Sequence, residues 1–322
     1  MILNRFKTKK RTKFFLFVLL LIAFVGGGYL LSGSKSPVSI SSDAITIGED
    51  KEKKEIAENI EKYHPQYDWF KDHPTNLGLT AKSAIVINLD KNQVVYALNE
   101  HEKLPPASIT KILTLTVVLE NMKTETLCTV SPQASSVQPN KISMRAGEQM
   151  TVEDLLFGLT MISANDAAEV LAECFDGGRD KFIEKMNDKV RLLGLDDSKF
   201  IDPSGLDDET QYSCAFDIAT ITGYLLTTKP EAIKYLGRKD DYSVFPSERN
   251  ESHYWYQMSR LLFTYPGMEG AKTGYTHIAK NTYVGIANRN NNRIVIVYFA
   301  AETTTSDATT LLEYGLSQNI SL

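Results

Sequence analysis

Residues 105–111 read Pro105-Pro106-Ala107-Ser108-Ile109-Thr110-Lys111. Two prolines stop whatever precedes them, because proline lacks an N–H and pushes the residue before it out of the helical region. An apolar run with helical periodicity, 109–120, starts directly after them, so a helix is expected with Ser108 in its first turn. Positions i and i+3 share a helix face, which brings the Lys111 amine within reach of the Ser108 hydroxyl. The free N–H groups of that first turn raise the local positive potential. A serine hydroxyl is a weak nucleophile until a nearby base removes its proton. A lysine does this once desolvation or a second cation lowers its pKa.

Context gives the pattern its weight. From average residue usage, roughly one Ser-x-x-Lys is expected by chance in a chain this long, and Ser32-Gly33-Ser34-Lys35 is such a match. Only the Ser108 copy opens a predicted helix. Downstream, Ser163-Ala164-Asn165 follows the apolar run 155–162, offering a hydroxyl that passes protons and an amide that binds a carbonyl. Taken alone, Ser163 reads as a helix-boundary serine. Farther on, Lys272-Thr273-Gly274-Tyr275 lies between the turn signal Pro266-Gly267 and the strand-like residues 282–287. Lys272 supplies charge and Thr273 a hydroxyl for a substrate carboxylate. Gly274 lets a substrate backbone approach closely.

In the order Ser-x-x-Lys, Ser-x-Asn, Lys-Thr-Gly the three elements match the signature of class A β-lactamases and penicillin-binding proteins. Leu155-Leu156-Phe157-Gly158-Leu159, Asn165-Asp166-Ala167-Ala168, Asp202-Pro203-Ser204-Gly205-Leu206 and Gly267-Met268-Glu269-Gly270-Ala271 extend the likeness over about 79–316. The chain resembles the serine D-alanyl-D-alanine carboxypeptidases, the low-molecular-mass penicillin-binding proteins. The resemblance implies that Ser108 attacks the carbonyl between the last two D-alanines of a peptidoglycan stem peptide while Lys111 takes its proton. Ser163 and Lys272 then relay the proton to the leaving amine, and Asn165 and Thr273 bind the substrate. The backbone N–H groups of Ser108 and Tyr275 hold the oxyanion. It also implies acylation of Ser108 by β-lactams, with no cofactor and no metal. Two departures from the family stand out: Phe216 where a basic residue is common, and Lys280 where a glycine is common. A β-lactamase would need a deacylating glutamate, as in Glu-x-x-Leu-Asn, and no such pattern lies between Asn165 and Lys272. A non-catalytic wall-binding module would be expected to lose Ser108 or Lys111, whereas an endopeptidase would share every motif.

The body around these motifs reads as α/β. Residues 83–88 and 93–98 flank the turn residues Asp90-Lys91-Asn92, and 282–287 and 294–300 flank a second polar turn at 288–292. Between the two hairpins, 109–120, 151–174 and 181–193 carry helical periodicity, and Ser306-Asp307 is a candidate cap for a last helix ending near residue 316. The expected architecture is an antiparallel sheet flanked by helices, with a helical subdomain between its sheet segments. The resemblance makes this the β-lactamase/transpeptidase-like fold.

The N-terminus reads as an address. Arg5, Lys7, Lys9, Lys10, Arg11 and Lys13 precede an unbroken apolar run at 14–31, long enough to span a bilayer core with the basic end inside. A cytoplasmic segment 1–13, a transmembrane anchor 14–31, an extracytoplasmic linker 32–75 and a catalytic domain 76–322 follow from that reading, which places the protein in the cell membrane as a single-pass protein. The linker is read as solvated because it is rich in Ser and then in charge, although Ile56, Ile60 and Tyr63 fall at helical spacing. Residues 1–35 carry seven of the 35 Lys and Arg and no acid, leaving 28 bases against 40 acids, or −12, for the remainder. A body of that sign repels phosphate backbones, which excludes nucleic acid as a partner. Cys128, Cys174 and Cys214 show neither metal-ligand nor redox-pair spacing and are expected as three unpaired buried residues.

Overall fold

A computed structural model describes residues 42–67 and 76–318. The chain divides into two compact units, Met1–Glu49 and Asp50–Leu322, and the second carries every candidate site residue. The expected anchor at 14–31 lies outside the described residues. Among those described, no helix is long and apolar enough to cross a membrane.

The six strands of the main sheet are β1 (Gln66–Tyr67), β2 (Ser83–Asn88), β3 (Gln93–Leu98), β4 (Met268–Thr276), β5 (Lys280–Arg289) and β6 (Asn292–Ala301), in the order β1-β3-β2-β6-β5-β4. Strands from the two ends of the body meet where β2 pairs with β6, Ile85 opposite Val297. Pairing is antiparallel except that β1 runs parallel to β3, so the sheet is mixed at one edge rather than purely antiparallel. The two middle strands are covered on both faces, which is why they read as unbroken apolar runs. Ile85, Ile87, Val295 and Val297 face one core, while Val86, Ile294 and Ile296 face the other.

The longer helices among the described residues are α1 (Ser42–Tyr63), α2 (Lys111–Asn121), α3 (Val152–Met161), α4 (Asn165–Cys174), α5 (Gly178–Leu192), α6 (Ala215–Thr228) and α7 (Thr304–Ser317). The run read as helical over 151–174 is in fact two helices. α3 starts at a capping box formed by Thr151 and Asp154, and the chain breaks at 162–164 before α4. Helix α7 starts before the expected cap. Asp307 instead accepts the backbone N–H groups of Thr80 (2.9 Å) and Ala81 (2.7 Å), anchoring the chain as it enters β2. Helix α6 was not anticipated, since its Ile and Thr residues favour strands. Its threonines instead return their hydroxyls to carbonyls one turn back: Thr220 to Phe216, Thr222 to Ile218, Thr227 to Gly223 and Thr228 to Tyr224.

Residues 50–67, within the span read as linker, belong to the compact unit Asp50–Leu322. Ile56 and Ile60 pack over Gly194, and the Asn59 amide donates to the Leu192 carbonyl at 2.8 Å. The Phe216 ring meets His64, Tyr67 and His101 at centroid distances of 5.3, 6.5 and 4.7 Å. The apolar residue at this position is therefore part of the seat for segment 64–67. The cysteine expectation is also corrected. Cys128 and Cys174 form a disulfide, and only Cys214 is free and buried. The pair is 46 residues apart in sequence, and the bridge joins the short strand Leu127–Thr129 to the C-terminal residue of α4.

Candidate active site

Ser108 occupies a single 3-10 turn, Ala107–Thr110, that leads directly into α2. Ala107 sits in the left-handed region at φ +48°, a conformation that costs energy for a residue with a Cβ and that clusters at functional sites. The turn is held from two sides. The Thr282 hydroxyl of β5 donates to the Pro106 carbonyl at 2.9 Å, and Gly274 of β4 lies so close that an added Cβ would fall 2.8 Å from the Ser108 nitrogen. Only glycine allows β4 to bring its backbone this near to the serine.

The Lys111 amine is the centre of the arrangement. It lies 3.0 Å from Ser108 Oγ, 2.7 Å from Asn165 Oδ1 and 2.6 Å from the Ser204 carbonyl. Burial disfavours its charge and lowers its pKa from the ordinary lysine value to about 7, against the opposing pull of Asp202, Asp166 and Glu169. Across the cleft, Lys272 Nζ donates to Ser163 Oγ at 2.8 Å and to the Thr273 carbonyl at 2.7 Å. Burial, followed by the nearby charge of Lys111, pushes Lys272 well below the ordinary lysine range. Ser163 is strained like Ala107, at φ +61°.

Asn165 is fixed by a loop that sequence reasoning did not single out. Its side-chain N–H donates to the Gln138 carbonyl at 3.0 Å, and its backbone N–H to the Asn140 carbonyl at 2.7 Å. The neighbouring Asp166 holds that loop by accepting the backbone N–H groups of Ile142 and Ser143, each at 2.9 Å. No residue-type pattern marks Gln138 or Asn140, because both act through backbone carbonyls. Asp166 was visible only as the residue after the Ser-x-Asn element.

The structure brings all eight predicted site residues together. Ser108, Ser163, Asn165, Thr273, Gly274 and Tyr275 line one cleft of about 710 Å³. Lys111 and Lys272 lie beneath it, each 1% exposed. A cleft of this size suits a peptide end or a drug-sized molecule. A nucleophile beside a buried amine, a second amine on a strand edge, and a strand backbone open to the cleft are the components of an acyl-transfer site.

Comparison with known proteins gives this geometry its relatives. A family model for D-alanyl-D-alanine carboxypeptidase, peptidase family S11, matches residues 70–303. The chain belongs to this family. D-alanyl-D-alanine carboxypeptidase DacF of Bacillus subtilis is 37% identical over 224 residues, 67% of this chain and 56% of that relative. The chain thus spans little more than half of the length of this relative. Among solved structures, a D-alanyl-D-alanine carboxypeptidase from Mycobacterium tuberculosis superposes with a TM-score of 0.70 at 30% identity, over 79% of this chain and 97% of that one. The Streptomyces K15 DD-transpeptidase gives 0.69 at 26% identity, over 76% and 99%. These likenesses span the α/β sheet and its helices, so the S11 chain has the transpeptidase-like fold.

Proposed function

We propose that the protein is a serine D-alanyl-D-alanine carboxypeptidase that trims peptidoglycan stem peptides in the cell envelope. The observation that carries this reading is the buried Lys111 amine 3.0 Å from the Ser108 hydroxyl, with a pKa of about 7. The peptide end lies along β4 with its terminal carboxylate at Thr273 and its penultimate carbonyl at Ser108. Lys111 takes the Ser108 proton as Oγ adds to that carbonyl. The resulting oxyanion faces the backbone N–H groups of Ser108 and Tyr275, a donor pair of the kind whose loss costs roughly a hundredfold or more.

Collapse of this intermediate breaks the C–N bond, and the leaving amine receives a proton through Ser163 and Lys272. As a neutral amine Lys272 has two N–H groups, both already donated to Ser163 and Thr273, and one lone pair free to carry that proton. A substrate carboxylate arriving at Thr273 raises its proton affinity at the moment it is needed. Asn165 orients the acyl arm, and Gly274 keeps the strand edge open to it. Water then hydrolyses the ester on Ser108. β-Lactams mimic the D-alanyl-D-alanine end and acylate the same oxygen. The apolar run 14–31 anchors the protein in the membrane, with the catalytic body outside.

The test is release of free D-alanine from a pentapeptide ending in D-Ala-D-Ala by the full chain, with Ser108→Ala alongside and a cross-linked muropeptide offered in parallel. Release by the wild type alone is the expected result. Cleavage of the cross-linked substrate without release from the pentapeptide would make the protein an endopeptidase. No cleavage of either would leave a wall-binding module.

A further inference from the structure

Lys111 has three polar neighbours, and two of them can only accept. Besides Asn165 Oδ1, the second is the Ser204 carbonyl, which belongs to the turn Asp202-Pro203-Ser204-Gly205-Leu206. As a neutral amine Lys111 has two N–H groups and one lone pair. With both N–H groups donated to the two carbonyl oxygens, the lone pair is left facing the Ser108 hydroxyl, whose proton it must take. The carbonyl at 204 therefore decides whether the base is aimed at the nucleophile.

What aims this carbonyl is a clamp built from Asp202 and Gln211. Asp202 Oδ1 accepts the backbone N–H of Ser204 (2.6 Å), the Ser204 hydroxyl (2.7 Å) and the backbone N–H of Gly205 (2.8 Å). Its Oδ2 accepts from the Gln211 amide at 2.8 Å. Gln211, itself 3% exposed, accepts in return the backbone N–H groups of Ile201 (2.9 Å) and Asp202 (3.1 Å), and donates to the Leu206 carbonyl at 3.2 Å. Both ends of the turn are thus tied to one side chain. The turn is also pressed onto the nucleophile's own segment. The Thr114 hydroxyl of α2 donates to the Pro203 carbonyl at 2.6 Å, and a Cβ on Gly205, at φ +87°, would fall 1.8 Å from the Ala107 carbonyl oxygen.

We propose that Asp202 is a positioning residue for acylation: with Gln211 it fixes the Ser204 carbonyl on the Lys111 amine, so that the amine's lone pair is directed at Ser108. The inference rests on the acyl-enzyme reading above. Asp202 has a second effect through its charge. The charged groups around Lys111 are Asp202 on the turn, Asp166 and Glu169 on α4, and Lys272 on β4. Arg179 of α5 pairs with Glu169 at 2.7 Å and also feels Asp202. The three acids raise the proton affinity of Lys111 and burial lowers it.

The experiment measures acylation of the full chain by benzylpenicillin across the neutral pH range, separating the non-covalent binding constant from the acylation rate. Asp202→Ala is expected to lower the plateau acylation rate about 100-fold, the cost of misplacing a catalytic group by about an ångström, with non-covalent binding unchanged. Asp202→Asn keeps an oxygen for Ser204 and Gly205, removes the charge, and gives up the single tie to the Gln211 amide, because two N–H donors then face each other. It is expected to hold the plateau within about tenfold, a neutral hydrogen bond replacing a charged one, and to shift the acid limb to lower pH. If Asp202→Ala does not fold, the acid limb of Asp202→Asn decides alone. A wild-type plateau in Asp202→Ala, or an Asp202→Asn acid limb superimposed on the wild type's, overturns the inference while leaving the acyl-enzyme reading intact. A wild-type chain that is never acylated removes both.

Discussion

Lys111 and Lys272 share a residue type and a burial of 1% exposed, yet the protein surrounds them differently. Lys111 has two carbonyl acceptors, the Ser108 hydroxyl and the field of Asp202, Asp166 and Glu169, and its pKa comes to rest at about 7. Lys272 has a hydroxyl and one carbonyl as partners, with the charge of Lys111 nearby, and is pushed well below the ordinary lysine range. Burial alone discharges a lysine. Nearby acids then decide how far, and the carbonyl partners decide where the lone pair points. The proposed mechanism uses the first amine to take a proton from Ser108 and the second to pass one to a leaving group.

The largest effect expected from breaking this contrast is at Lys111. Lys111→Met should lower the acylation rate by about 10²- to 10⁴-fold, the range for a general base. Lys111→Arg should do no better, because a guanidinium stays protonated. Stopped-flow acylation by a fluorescent penicillin checks both, and an Arg variant that works would break the assignment. Lys272→Met should cost less in penicillin acylation than in turnover of the peptide, whose amine leaving group needs a proton. A peptide kcat reduced by about a hundredfold or more is expected, and equal losses on both substrates would remove the division of labour.

The pH dependence sharpens the contrast further. The acid limb of acylation should have its midpoint near the Lys111 pKa of about 7, with the rate rising as pH rises because the neutral amine is the active form. The sign for stability is the same. Between about 7 and the ordinary lysine value of 10.5, the unfolded chain holds a proton on this residue that the folded chain lacks, so unfolding free energy should increase with pH across that window. Lys111→Met should flatten this slope in melting curves, and an unchanged slope would contradict the depressed pKa. The smallest effect on activity is expected from Cys128→Ser with Cys174→Ser. Loss of the disulfide across 46 residues should cost about 4 kcal/mol of stability on the chain-entropy account, while the surviving folded enzyme acylates at the wild-type rate.

Much of this was legible in the chain. Ser108 and Lys111 stand out because a spacing of three puts a nucleophile and a base on one helix face, whereas Ser163, Asn165 and Lys272 gain their weight from the order of the three motifs and the family resemblance it carries. The strands β2 and β6 were found because burial on both faces leaves an unbroken apolar run. What escaped acts through the backbone or through distance. The carbonyls of Gln138, Asn140 and Ser204 carry no side-chain signature, although they fix both Asn165 and Lys111. The break at 162–164 lay hidden inside one helical periodicity, and α6 was masked by residues that prefer strands until their hydroxyls find carbonyls. The disulfide partners are too far apart in sequence to suggest each other. The seat for residues 64–67 required knowing that Phe216, an apolar departure from the family pattern, faces His64 and Tyr67.

The central claim is that Ser108 forms an acyl-enzyme. Its most direct test is mass spectrometry of the intact full chain after benzylpenicillin, with peptide mapping and Ser108→Ala treated in parallel. A single penicilloyl adduct on the peptide that contains Ser108, missing from the variant, is the predicted result. No adduct on the folded wild type, or an adduct that persists in Ser108→Ala, would contradict it.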